Sequence, residues 1–467
     1  MAAITALAAP PPAYAPLGDA LTRLDTCLAL GFGRLGQEQH AALASLSRAL
    51  TGTPLHERLS AAINSLRQGE FREGHFLTLA AARAALQGAL YDALHGHALT
   101  ALSRPLPVAT PAQSSFSTEP APLLESVRHW LMEIALAGFS QLEPEAILPF
   151  QATLERLQAE PAHFRLAALL TGFCDELLAL APTTGQANLP LYRFADLWTR
   201  AALLCARPRQ AATSTQTISG DLRILGADLR THRFAVALVV YGVLQTPQGL
   251  RLLRLTRSAY KVDVVTGREV LRTLAAPQLL RALAESRVLT LHDVPVLPGG
   301  DLLYDRPADT RAKVGGGFEL WSDAARFAPG LKAPAPTLGP VDLLDRHPTQ
   351  LAEPLYLDRP RLRPSPAEGG VIAELGEVAL LIDTAHQSPT SELLPDKVGA
   401  AQRLFGLLRF DGGRFRLQPL AVQGGAAGKL VTAVAGQNAA AIALGSVAGS
   451  PIGKLRERAS KLLRQKA

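Results

Sequence analysis

The chain has 467 residues, of which 48% are hydrophobic and 19% are charged, and this balance excludes an intrinsically disordered protein. A length of this order predicts two or three globular domains. The formal net charge of +7 lies mostly in residues 454–467, which hold six Lys or Arg against one Glu, and a nearly neutral remainder argues against a large nucleic-acid footprint.

Residues 1–16 contain a short apolar run that is interrupted by three consecutive prolines and has no basic segment before it. This pattern lacks the features of a signal peptide and predicts a disordered N-terminus. Residues 17–206 then show apolar residues at spacings of three and four, which predicts an α-helical domain. Within it, five prolines in residues 104–122 predict an exposed loop.

The apolar period changes after residue 216, and residues 217–423 are predicted to form a mostly antiparallel β domain with long loops. Its clearest signal is residues 404–420, where two strand-like runs flank an Asp-Gly turn at Asp411. Residues 424–467 are predicted to form a small-residue helix and a basic amphipathic tail. The predicted fold class is therefore α+β: an α-helical N-terminal region, a mostly antiparallel β domain and a C-terminal helical tail.

Two Gly-Lys pairs, at residues 428–429 and 453–454, resemble part of a phosphate-binding loop. The loop motif needs a glycine five residues before the Gly-Lys pair and a hydroxyl residue directly after it. Gln423 and Ala448 stand where that first glycine belongs, and leucine follows both lysines. We therefore expect no bound nucleotide and no other cofactor.

Two His/Asp pairs follow strand-like segments and are candidates for a dispersed catalytic or metal site: His292 with Asp293, and Asp383 with His386. An imidazole beside a carboxylate is common in both kinds of site. The alternative interpretation is a solvated loop pair, because the sequence has no His-x-x-x-His or Cys-x-x-Cys spacing. We assign no catalytic residue and no metal ligand from the sequence.

The three cysteines, Cys27, Cys174 and Cys205, lie far apart and have neither disulfide nor zinc spacing. This usage is typical of a reducing compartment, and we expect a cytoplasmic protein of bacterial type. Residues 430–453 carry no charge over a length that spans a bilayer. Their Ala, Gly and Ser content favours a buried or partner-packed helix instead.

The predicted hairpin also carries the residue types of a surface that binds single-stranded nucleic acid, where cations hold phosphates and aromatic rings stack on bases. The cations are Arg409, Arg414 and Arg416. Strand alternation places Phe415 on the face opposite its neighbouring arginines, so this ring is expected in the core. The arginines are expected to be solvated.

The basic tail is the most direct interaction signal, because an apolar stripe with cations around it suits an acidic protein groove. The residues that we expect to bind a partner are Leu455, Arg456, Arg458, Lys461, Leu462 and Arg464. The favoured function is a non-catalytic cytoplasmic scaffold or adaptor in a multi-protein assembly. The alternatives are a nucleic-acid-binding accessory protein and, third, an enzyme with a dispersed site. A protein partner is expected first and nucleic acid second, whereas a membrane surface is not expected.

Overall fold

Helices fill the N-terminal part of this computed structural model and two sheets fill the C-terminal part, which confirms the α+β class. The structure describes residues 4–106, 122–183, 189–206, 216–231, 235–246, 249–260, 267–274, 277–285, 287–297, 299–304, 312–314, 346–365, 368–384, 387, 391–424 and 431–445. The α-helices are α1 (Tyr14–Leu30), α2 (Gln37–Ala49), α3 (His56–Arg67), α4 (Glu73–Ala101), α5 (Pro122–Ala137), α6 (Gln151–Ala159), α7 (Phe164–Leu180), α8 (Leu191–Ala206), α9 (Gly267–Leu274), α10 (Pro277–Ala284), α11 (Pro395–Gly399) and α12 (Gln437–Leu444). The strands are β1 (Gln216–Thr231), β2 (Ala235–Thr246), β3 (Gly249–Tyr260), β4 (Arg287–Val296), β5 (Ala312–Val314), β6 (Glu353–Asp358), β7 (Arg361–Ser365), β8 (Gly370–Leu375), β9 (Val378–Ile382), β10 (Arg403–Asp411), β11 (Arg414–Gly424) and β12 (Val431–Val434).

Helix α4 is the central helix of the N-terminal part, and helices α1, α3, α5 and α8 pack against it. Its side chains at helical spacing, including Leu79, Leu86 and Leu90, are buried, as the sequence pattern predicts. The division of the chain into separate domains stays a prediction, and the loop predicted at residues 104–122 lies mostly outside the described residues.

The prediction of a disordered N-terminus over residues 1–16 is wrong for its described part. Residues Ile4–Ala8 form a short 3-10 helix, and α1 begins at Tyr14. Ile4 and Leu7 are buried, because the 3-10 helix packs against β9 and β11. His97 of α4 also lies 2.8 Å from the carbonyl oxygen of Ala6. These contacts offset the cost of ordering a short, proline-bounded segment.

The first sheet has the strand order β3-β2-β1-β4-β5, and every pairing in it is antiparallel. Helices α9 and α10 contact its strands, and α12 packs on both helices. Strand β1 has an irregularity in its pairing at Gly226, where φ is +154°. A Cβ atom at this position would lie 2.5 Å from the carbonyl oxygen of Leu420 in β11. Glycine therefore permits the close approach of the two sheets at this point.

The second sheet has the order β6-β10-β11-β9-β8-β7, and β12 adds to the far end of β11. The pair β9 and β11 is parallel, whereas the other pairings are antiparallel. The two end strands of this order, β6 and β7, are consecutive in sequence and are joined by only Arg359 and Pro360. The sheet is thus a curled Greek-key arrangement in which one bent segment supplies both ends.

The predicted hairpin at residues 404–420 is confirmed as β10 and β11, with Gly412 and Gly413 in the turn at positive φ. The small-residue helix predicted within residues 424–467 is present in the described part, but it begins only at Gln437 and strand residues precede it. Residues up to Gly424 belong to β11, and β12 and the eight-residue α12 follow. Gly436, in the left-handed conformation with φ of +85°, separates this strand from the helix. Residues 446–467 lie outside the described residues.

The helical part and the sheets share one cluster of buried apolar residues. The ring of Tyr14 in α1 meets Phe410 edge-on with 4.8 Å between centroids. The ring of His97 in α4 stacks on Phe415 at 5.9 Å. The N-terminal helices therefore pack directly on the face of the second sheet that carries these phenylalanines. Among the described residues, no helix combines the length and apolarity that crossing a membrane requires.

Candidate functional site

The three hairpin arginines lie close together, because Arg409 and Arg416 are paired across β10 and β11 and Arg414 is at the turn. Each of them meets an acceptor within the chain. The guanidinium of Arg414 donates to both carboxylate oxygens of Glu368, one of them at 2.7 Å. Arg416 lies 3.5 Å from Asp383. These internal pairs reduce the charge that the hairpin offers to a phosphate backbone.

Arg409 links the two sheets. Its Nε donates to the side-chain oxygen of Gln418 at 2.9 Å, and its Nη2 lies 3.5 Å from Asp228 of β1. The expected position of Phe415 in the core is confirmed, since only 3% of its surface is exposed. Phe405 and Phe410 are also buried, so this hairpin presents no phenylalanine ring for base stacking.

His292 and Asp293 do not form a dyad with each other in the described chain. They sit at a bulge of β4, where the pairing with β1 skips from Ile218 to Gly220. The Asp293 carboxylate accepts a hydrogen bond from the Ser219 hydroxyl at 2.9 Å, and the Asp293 amide donates to that same hydroxyl at 2.8 Å. Asp293 has a positive φ of 46°, and these two bonds hold the bulge.

Asp383 follows β9 and faces Arg416, and its amide donates to the carbonyl of Leu417. Its predicted partner His386 lies outside the described residues, so the structure does not test this pair. The same holds for the expected partner-binding residues of the tail, from Leu455 to Arg464. The chemistry of both segments stays a prediction.

Among the described residues, the most deeply buried charged group is Arg83 of α4, with none of its surface exposed. Its Nε and Nη2 donate to the two carboxylate oxygens of Asp25 in α1 at 2.6 and 2.9 Å. The guanidinium also lies 5.5 Å from the centre of the Tyr192 ring and 3.5 Å from the Thr199 hydroxyl, both in α8. One arginine thus connects three helices through charge-assisted bonds.

A second carboxylate, Asp196 of α8, lies beside this group. Its oxygens accept from Arg200 at 2.8 Å and from Gln87 at 3.2 Å, and His347 lies 3.4 Å away. Burial opposes ionisation of this carboxyl, but its interactions with His347 and Arg200 outweigh burial and hold the pKa of Asp196 below its usual value. His347 belongs to the segment that leads into β6, so this contact joins the helices to the second sheet.

Glu353, the first residue of β6, makes the other strong contact between the two parts. Its oxygens lie 2.8 Å from His95 Nε2 and 2.7 Å from Arg104 Nη1. Arg104 also donates to the carbonyl of Pro354 at 2.6 Å. Burial opposes ionisation of Glu353, but His95 and Arg104 outweigh it and keep the pKa of Glu353 below its usual range.

We call this set of contacts the charged seam. It joins helices α4 and α8, together with Arg104 just after α4, to residues 346–354. Its members are Asp92, His95, Arg104 and Asp196 on the helical side, and Arg346, His347 and Glu353 on the other side. Because its two most buried carboxylates are held by cations or by histidine, the seam suits the fixing of one part against the other better than proton transfer to a substrate.

Two pockets in the described residues differ in volume and position. One has a volume of about 280 Å³ and opens at the corner between β6 and β7. The other, of about 30 Å³ and lined by Asp228 and Gln387 among others, has room for one water molecule. No group of three or more His, Cys, Asp or Glu in the described chain is placed to hold a metal ion.

The three thiols are buried within the helical part. Burial raises the pKa of Cys27, Cys174 and Cys205 to about 12, so these cysteines remain protonated. Protonated, buried thiols are poor nucleophiles and poor metal ligands. They act as small apolar side chains in the core.

Sequence reasoning missed Arg83, although the pattern contained a signal for it. Arg83 follows Leu79 by four residues and precedes Leu86 by three, so it occupies the apolar stripe of α4. A lone arginine on such a stripe indicates a buried ion pair. No comparable signal marks Glu353, because its partners His95 and Arg104 are about 250 residues away in sequence.

Comparison with known proteins gives no relative for this chain. No protein-family model matches it, and neither the curated proteins nor the solved structures contain a significant match.

Proposed function

We propose that the protein is a non-catalytic scaffold or adaptor that acts in a multi-protein assembly in the bacterial cytoplasm. The charged seam is the observation that carries this proposal. His95 and Arg104 hold the buried carboxylate of Glu353 from the opposite part of the chain, and His347 lies 3.4 Å from Asp196 across the same boundary. These contacts support a fixed relation between helices and sheets. A scaffold needs such a fixed relation, because it must present several surfaces at constant spacing.

The helical hairpin of α6 and α7 supplies a surface of the kind that protein partners cover. A hydrogen bond between Gln158 and Thr171 links the two helices, while Leu148 lies just before α6 and Leu180 is the last residue of α7. Leu148 is 52% exposed, and Phe164 at the start of α7 is 53% exposed. Large apolar side chains exposed on one helical hairpin support protein contact, and aromatic ones are enriched where partners bind.

The test is co-purification of the tagged full-length protein from its own cells, followed by mass spectrometry. A variant with Leu148→Ser, Phe164→Ser and Leu180→Ser should lose its principal partner while keeping the wild-type melting temperature. Leu394→Ser is the matched control, because Leu394 is 58% exposed but lies beside the second sheet. If the partner is retained by the triple variant, this surface is not the docking site. If no protein co-purifies with the wild type, the scaffold proposal fails.

A nucleic-acid-binding accessory function is the second candidate, and the connectivity of the second sheet favours it. In this sheet β7, β8 and β9 form a meander, β11 runs parallel to β9, and β10 pairs with both β11 and β6. Strands β6 and β7 together act as one bent strand. This is the connectivity of the OB fold, a barrel that often binds oligonucleotides. Connectivity alone carries no function. Arg409, Arg414 and Arg416 are its candidate phosphate contacts, and their internal pairs place this candidate second.

Titration with single-stranded DNA and RNA distinguishes the two candidates. Under the scaffold proposal, affinity at physiological salt should stay in the non-specific range of about 10⁻⁴ to 10⁻⁶ M. Under the alternative, affinity should be tighter and should fall in the variant Arg414→Gln. Tight binding that depends on Arg414 would reverse the order of the two proposals.

A further inference from the structure

The corner between β6 and β7 has the features of a ligand site that neither the seam nor the helical hairpin uses. Arg359 and Pro360 connect the two strands, and the pocket of about 280 Å³ lies between this corner and the turn that joins β8 to β9. Its wall includes Asp358, Arg361 and Glu374, besides the corner residues. The wall therefore combines four charged residues with Leu357, Leu375, Pro360 and Gly376, and its cations are both arginines.

The two carboxylates and two guanidinium groups of this wall are equal in number, but the carboxylates pair with cations outside the wall. Asp358 lies 3.3 Å from Arg403, and Glu374 lies 3.1 Å from Arg363, so both carboxylates of the wall are already neutralised. Arg359 and Arg361 are exposed, and no residue in the described parts of the chain forms an ion pair with either of them. Two guanidinium groups on one pocket are thus left for an external anion.

The backbone of Arg359 gives an independent indication. Its φ is +46°, in the left-handed region where glycine or asparagine costs less than arginine. The conformation is held by a hydrogen bond from its amide to the carbonyl of Gln402 at 2.7 Å. An arginine maintained in a conformation that disfavours it is typical of a site where the side chain is used.

We infer that this corner is an anion-binding pocket that takes the carboxylate groups of an acidic segment of a partner protein. This inference rests on the scaffold function proposed above and names the class of partner. Arginine forks bind carboxylates in two-pronged fashion, and a pocket of this volume takes one or two acidic side chains. It lies just below the range of about 300 to 1,000 Å³ that is typical of pockets for whole small-molecule ligands.

A nucleic-acid strand is the competing source of anions, and the distribution of aromatic residues argues against it. Binding of single strands without sequence preference depends on rings that stack on bases. In the described chain, the aromatic residues with large exposed surfaces are Phe164 and Tyr192, and both lie on helices. Pro364 in β7 also lacks an amide donor, so side-chain charge rather than an added strand is the means of recognition.

The test is fluorescence anisotropy of full-length protein with three labelled probes: octaglutamate, octaglutamine and an eight-residue oligothymidylate. The test variant combines Arg359→Gly, which also suits the positive φ, with Arg361→Gln. The control variant combines Arg128→Gln with Arg193→Gln, whose guanidinium groups are paired with Glu73 and Glu176 in the helical part, away from the pocket. Both variants lose two positive charges, so non-specific attraction by the basic tail is the same in each.

Octaglutamate should bind the wild type and the control variant with the same affinity, and it should bind the test variant about tenfold more weakly. Octaglutamine should not bind. The inference is overturned if octaglutamate does not bind the wild type, or if both variants weaken binding equally. It is also overturned if the oligothymidylate binds more tightly than octaglutamate and depends on the same two arginines. Co-purification of a protein partner with the wild type, despite failure of octaglutamate, would leave the scaffold proposal standing without this pocket.

Discussion

Replacement of Arg83 by methionine removes the charge from the most buried ion pair of the helical part while keeping an apolar side chain of similar length. The carboxylate of Asp25 then remains, with 4% of its side chain exposed and without its cation at 2.6 Å. Loss of one partner of a buried pair costs about 3–5 kcal/mol, because the other charge stays desolvated. For a helical unit of this size, such a loss lowers the melting temperature by about 10 °C.

A matched control exists in the same set of helices. Arg193 in α8 makes a two-pronged contact with Glu176, but its side chain is 47% exposed. Solvent screens this pair, so Arg193→Met should cost less than about 1 kcal/mol. Differential scanning calorimetry and urea unfolding of both variants measure the difference.

The double variant Asp25→Leu/Arg83→Met tests whether the two charges are coupled. It removes both charges and fills the site with apolar groups. Its loss of stability should therefore be smaller than the sum of the losses measured for Asp25→Leu alone and Arg83→Met alone. Two results would refute the reasoning: a loss in Arg83→Met no greater than in Arg193→Met, or a double variant whose loss equals the sum. Either result would mean that the pair is not energetically coupled in the folded chain.

Three further predictions concern the sheets. Because the pKa of Glu353 is depressed, its stabilising contribution should be complete above about pH 4.5 and should disappear as the pH falls through the depressed pKa. The unfolding free energies of the wild type and Glu353→Gln, measured from pH 3 to 7, should therefore converge at low pH, and a constant difference would contradict this prediction. Burial raises the pKa of Glu392 to about 6, so the wild type should lose stability as the pH rises from about 4.5 to above 6, and Glu392→Gln should remove this slope; an unchanged slope would contradict the assignment. Gly226→Ala should destabilise the protein by about 2 kcal/mol or more, since its Cβ would meet a backbone oxygen at 2.5 Å. The control Gly88→Ala in α4 has open space around it and should stabilise the protein by up to about 1 kcal/mol. Equal melting temperatures of the two variants would count against the close approach of the sheets.

Local patterns were sufficient to predict most helices and the β10–β11 hairpin. Apolar spacing identified the buried face of α4, and the Asp-Gly pair at Asp411 located the turn. The short helix α9 and the strand β12 were missed, because each is too short to establish a period. Their positions are set by packing against distant elements rather than by their own residues.

The charged seam could not be predicted, for a different physical reason. Ion pairs between distant segments follow no spacing rule, and a histidine such as His95 in a helix has the same sequence context whether or not a glutamate faces it. For the same reason, the prediction that Arg414 and Arg416 are solvated did not anticipate their ion pairs with Glu368 and Asp383. Residue types indicate which groups need partners, whereas the tertiary fold decides which partners they receive.

The 3-10 helix at Ile4–Ala8 has a consequence for how the chain matures. Its buried residues rest on β9 and β11, near the opposite end of the polypeptide. During synthesis the N-terminal helices emerge first. The contacts of the 3-10 helix with β9 and β11, and of the Tyr14 ring with Phe410 in β10, form only after those strands have left the ribosome. Nascent chains stopped before β9 should therefore bind chaperones that recognise apolar segments, and completion of the second sheet should release them. Strands from the last third of the protein thus complete the packing around Ile4, Leu7 and Tyr14.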